Sequence, residues 1–109
     1  MLDLRLYMLQ RVSALIMAPL ALGHIAVMIY AVQGGLSAGE ILARTEGSFA
    51  WGLFYGTFVV AVSVHAAIGL RVIAAETLKI RGMQLALLGW AVFLVLLVMG
   101  LEAVFAVTS

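Results

Sequence analysis

WGLFYGTFVVAVSVHAAIGLRVIAA, residues 51–75, is an apolar run interrupted by one histidine and one arginine. About 20 helical residues cross the roughly 30 Å hydrocarbon core of a bilayer, and this run is longer than that. It has no polar face to turn toward water, so it is expected to span a membrane. Two more runs match it, at about residues 12–32 and 83–107. The first ends at Gln33-Gly34-Gly35, a strong breaker. The run at 51–75 ends at Glu76, Lys79, Arg81 and Gly82. Between the first two lies a polar, Gly/Ser-rich loop, within which residues 38–44 suit an interfacial helical turn. The first run also exceeds the roughly 7–15 apolar residues of a signal-peptide core, so it is taken as a span.

Composition agrees with this reading. The chain has 109 residues, 66% of them hydrophobic, and its mean hydropathy is +1.24. A soluble core of this size has no room for so much apolar surface. Charged residues make up 10%, against roughly 25% in soluble domains. The expected architecture is a single-domain, all-α membrane protein of three transmembrane helices, part of a larger helical bundle. A net charge of +1 offers no basic face for nucleic acid. With no cysteine, the chain itself has no disulfide, iron–sulfur ligand, covalent haem attachment or thiol nucleophile.

Arg5, Arg11, Arg71, Lys79 and Arg81 cluster at the N-terminus and around the second loop, whereas only Arg44 lies in the first loop. The positive-inside rule therefore places the N-terminus in the cytoplasm. Tyr30 and Trp51 suit the opposite interface, while Trp90 lies too deep in its span for an ordinary anchor. Ala14, Ala18, Ala21, Gly52, Gly56, Gly69, Gly89 and Gly100 supply small surfaces for close helix approach or for a flat macrocycle.

The only two histidines, His24 and His65, both fall within spans. Ionisable groups at that depth are expensive and are usually kept for a function. Neutral imidazole is the commonest metal and haem-iron ligand. The other reading is an imidazole that merely hydrogen-bonds across a helix interface. His65, Gly69, Val72 and Glu76 share a helical face, and Gly69 leaves that face bare one turn from the imidazole. Arg71 lies about 9 Å along the axis and can snorkel to the interface, where a haem propionate would meet it. His24 shares a face with Ser13, Met17, Ala21 and Met28. Measured from Arg11 and Arg71, the two imidazoles differ in depth by about 10 Å, and measured from Glu76 the gap shrinks.

The run His65-Ala66-Ala67-Ile68-Gly69-Leu70-Arg71 resembles the His-x-x-x-Gly-x-Arg stretch of the membrane-anchor cytochrome b subunits of succinate dehydrogenase and fumarate reductase. Glu76 stands where that family has an acidic residue, usually Asp, and Val72 replaces its second His. Gln10-Arg11-Val12-Ser13-Ala14 is similar to the family's His-Arg-x-Ser/Thr-Gly start of the first span, with Gln10 for His and Ala14 for Gly. Tyr7 stands where a Ser is usual. The resemblance covers about the first 80 residues.

The resemblance implies haem b, one or two, shared with a sister anchor subunit. His65 would ligate an inner haem and His24 an outer one, with Gly69, Arg71 and Arg11 bordering haem or its propionates. Arg11, Ser13 and Tyr7 would border a quinone, the substrate. It also implies a flavoprotein subunit carrying FAD and an iron–sulfur subunit, both at the cytoplasmic face of a bacterial or archaeal inner membrane. Taken alone, Arg11 also suits a positive-inside anchor and Ser13 a hydroxyl bonded to its own helix. Glu40, Arg44 and Glu46 suit a solvated loop, and Glu102 headgroups or a partner. No nucleophile–base set, paired carboxylates or phosphate loop appears, so dicarboxylate chemistry belongs to another subunit. The alternatives are a cytochrome b subunit of another oxidoreductase, a haem-free assembly subunit and, more remotely, a small transporter.

Overall fold

In bilayer interiors no water satisfies backbone groups, so an apolar chain resolves into long helices whose hydrogen bonds are internal. A computed structural model describes residues 4–35 and 37–109 and places three such helices and one short one in them. They are α1 (Leu4–Gln33), α2 (Ala38–Thr45), α3 (Phe49–Thr77) and α4 (Gly82–Thr108). α1, α3 and α4 are each long and apolar enough to cross a membrane. This is an all-helical, multi-pass membrane protein. The molecule is 47 Å long, which carries it through the hydrocarbon and into both headgroup layers.

α1 begins eight residues before the expected span and takes Arg5 and Arg11 into helix, because nothing in residues 4–11 breaks one. Pro19 lies inside it. It removes one donor from the ladder, which membrane helices tolerate. Gly35, at φ 103°, ends the helix. The turn expected at residues 38–44 is α2, capped where the Ser37 hydroxyl accepts from the Glu40 N–H at 3.1 Å. Lys79 turns the chain between α3 and α4 at φ 59°, and the Ile80 N–H closes the turn on the Ala74 carbonyl at 3.3 Å.

α3 lies between α1 and α4 and packs against both. Its buried residues, apart from Ile68, are small: Ala61, Ser63, Ala67 and Ala74. α1 buries only Ser13, and α4 buries none. The accessible surface is 7433 Å², against about 5,800 Å² for a soluble monomer of this mass. The excess is apolar side chain turned outward, which needs lipid or other helices over it. α3 and α4 approach closely where a Cβ on Gly100 would fall inside the Val59 isopropyl group.

α2 returns to cover the end of α4. The Thr45 hydroxyl, 1% exposed, lies 2.6 Å from the Val107 carbonyl and 3.0 Å from the Ile41 carbonyl and shares its one proton between them. The Gly47 N–H donates to the Thr108 carbonyl at 2.7 Å. Two carbonyls that a helix C-terminus leaves orphaned are thereby satisfied.

Gly100→Ala is expected to destabilise the detergent-solubilised chain by about 1–3 kcal/mol through overpacking. The double variant with Val59→Ala should recover most of that loss in a thermal unfolding series.

Candidate functional site

The α1–α3 seam is antiparallel, and its register places the polar residues. A Cβ on Gly69 would lie 3.6 Å from Gln10 Nε2, and one on Gly23 would lie 3.1 Å from the Phe54 ring. Gln10 therefore faces Gly69 at the end bearing the N-terminus, and Gly23 and His24 face the first turns of α3 toward the α2 end.

His24 is half-buried against two rings of α3. Its centroid lies 5.3 Å from Phe58, tilted by 37°, and 6.0 Å from Tyr55, nearly edge-on. Aromatic contact continues outward: Tyr55 stacks on Trp51 at 5.6 Å, and Phe54 packs edge-on against both. Over Trp51 lies the Arg44 guanidinium, its Cζ 5.7 Å from the indole and 5.3 Å from the Tyr30 ring. Contacts within about 6 Å of a ring face are cation–π interactions. Arg44, expected in a solvated loop, is instead half-buried, and its Nε is buried without a partner.

His65 lies on α3 seven residues from Phe58 and ten from Tyr55, which puts it roughly 10–15 Å along the axis from the His24 ring. One metal held between two imidazoles needs their nitrogens about 4 Å apart, from bonds of roughly 2.0–2.1 Å. These two rings are too far apart along the bundle to share one iron. Each has a buried Nδ1 with no hydrogen-bond partner, and among the described residues neither ring bonds across a helix interface. Buried polar atoms are normally satisfied. Among the described residues the two imidazoles thus have no hydrogen-bond partner at Nδ1, and imidazole is a side chain that can ligate haem iron.

The segment from His65 to Arg71 is divided by the fold. Gly69 faces α1, and the Gln10 amide covers the surface expected to be bare, with Gln10 Oε1 also buried and unpartnered. Arg71 instead turns to α4, its Cδ 3.8 Å from the Cβ position of Gly89. There it lines a groove of about 250 Å³ with Leu6, Leu9, Val64, Gly89, Trp90 and Phe93. Trp90, too deep to anchor at an interface, is a wall of this groove.

The residues expected near quinone are also divided. Arg11 and Tyr7 are exposed on one side of α1, with the guanidinium carbon 5.8 Å from the phenol ring centroid. Ser13 is buried and donates to the Gln10 carbonyl at 3.0 Å. It borders a second groove, about 500 Å³, that shares Leu9 and Val64 with the first and reaches Gly56 and Leu101. Gln10 and Arg44 were not picked out from sequence as site residues. The only signals for them were Gln10 replacing a family histidine and Arg44 being the sole basic residue between the first two spans.

No match to the chain was found among curated proteins or among solved structures. The family model for the succinate dehydrogenase/fumarate reductase transmembrane subunit matches residues 2–102, further than the first 80 residues that carry the motifs. With its three spans and its paired polar seam, this chain belongs to the succinate dehydrogenase/fumarate reductase transmembrane subunit family.

Proposed function

We propose that the chain is a haem b anchor of a succinate:quinone or quinol:fumarate oxidoreductase. It holds a flavoprotein and an iron–sulfur subunit at the cytoplasmic face of a bacterial or archaeal inner membrane. His65 would hold a haem on the inner side and His24 one on the outer side, each shared with a sister anchor subunit. The single observation that carries this reading is the pair of intramembrane imidazoles. They stand roughly 10–15 Å apart along the axis, each with a buried Nδ1 that no described residue partners. A subunit whose histidines only bridged helices would be expected to satisfy those nitrogens internally.

Bound haem supplies one-electron transfer between the iron–sulfur subunit and the quinone. The chain's own residues do the rest. The Tyr55 and Phe58 rings pack on the His24 imidazole and shield it from water. Arg11 and Tyr7, exposed together at the end bearing the N-terminus, offer a cation and a phenol to a quinone carbonyl. Ser13 borders the second groove, apart from them. Arg71, on the α4 side, offers its charge to a propionate or headgroup reaching the first groove.

The complex purified with its partner subunits is expected to show a b-type band in its reduced-minus-oxidised spectrum. His24→Ala and His65→Ala should each remove about half of the haem. A wild-type spectrum without the band, or either variant at full haem content, would sink the two-haem reading.

Gly69→Ala separates folding from ligand effects. The added methyl meets Gln10 only at van der Waals distance, so stability should change by less than about 1 kcal/mol. Any spectral shift in that variant then reports the ligand side of the His65 face.

A further inference from the structure

Arg44 is the one basic residue between the first two spans, and the fold does not leave it in solvent. Its guanidinium carbon lies over both the Tyr30 and Trp51 rings, at 5.3 and 5.7 Å. Its Nε is buried without an acceptor, and no carboxylate pairs with it among the described residues. A guanidinium is a fork of donors that favours planar, doubly accepting anions. Here two rings pack on the fork, and no anion among the described residues meets it. From Arg44 the ring contacts run through Trp51 and Tyr55 to the His24 imidazole without a gap. Tyr30, beneath Arg44, lies six residues beyond His24 on α1, about 9 Å along the axis.

We infer that Arg44 is the carboxylate anchor of the haem ligated by His24. It receives a propionate at the α2 end of the bundle, with Tyr30 and Trp51 as its positioning residues. This rests on the proposed haem function. A porphyrin held by His24 carries both carboxylates on one edge, and the nearest water-facing end is the one that Arg44 closes. Burial of Arg44 under rings makes its charge felt by the iron more strongly than in open solvent. Reduction adds a negative charge to the haem, so a nearby cation favours the reduced form.

The test is a potentiometric titration of the b-type absorbance in the purified complex, for wild type, Arg44→Gln and Arg44→Lys, with His24→Ala identifying the outer signal. Arg44→Gln should lower the midpoint of that signal alone by about a tenfold change in the reduction equilibrium, 59 mV for one electron. Arg44→Lys, which keeps a charge but loses the fork, should lower it less. An unchanged midpoint in Arg44→Gln, or an equal fall in both signals, overturns the anchor role. If Arg44→Gln does not assemble, an unchanged midpoint in Arg44→Lys overturns it as well. Full haem content in His24→Ala would instead remove the haem reading on which the inference stands.

Discussion

Val59 occupies the space that Gly100 leaves open, and that approach sets how high α4 rides on α3. In lipid no hydrophobic force pulls helices together, so close backbone approach and good packing must hold them. α3 meets this demand with Ala61, Ser63, Ala67 and Ala74 among its buried residues, presenting small surfaces to its neighbours. The same register puts Arg71 against Gly89 and brings Gly52 near Thr108. Through Thr45 and Gly47 it also decides where α2 meets the end of α4.

The second seam, between α1 and α3, has another chemistry. It is polar at intervals: Gln10 over Gly69 at one end, and His24 among Tyr55 and Phe58 toward the other. Buried atoms on Gln10 and His24 that no described residue partners lie along it, and His65 on α3 carries another. In a bilayer such atoms are more costly than in a water-accessible protein, because no solvent can reach them. A seam of this kind suits a subunit whose polar groups are completed by something outside the chain. The apolar outer surface points the same way, since α4 buries nothing within the chain.

The aromatic path from His24 to Arg44 joins α1, α2 and α3 in one unit. The short α2 therefore has two attachments: its hydroxyl and backbone bonds to the end of α4, and its arginine over rings of α1 and α3. Either contact alone would leave an eight-residue helix weakly held, because short helices are marginal without tertiary packing. Together they fold the loop back over the end of the bundle and bring its one cation above the aromatic column.

The three spans, their breakers and the short helix between the first two were legible in the sequence, because bilayer thickness and backbone hydrogen bonding leave an apolar run few alternatives. The intramembrane histidines stood out for a similar reason, as polar groups where polarity is expensive. Which neighbour each residue faces was not legible, since it depends on how the helices rotate and slide against each other. Gly69 and Arg71 are two residues apart in the chain, yet one faces α1 and the other α4. Arg11 and Ser13 part in the same way. Arg44 looked solvated because nothing local to residues 38–46 predicts a ring above or below it. Only the packing of α1 against α3 brings both Tyr30 and Trp51 within reach of its charge.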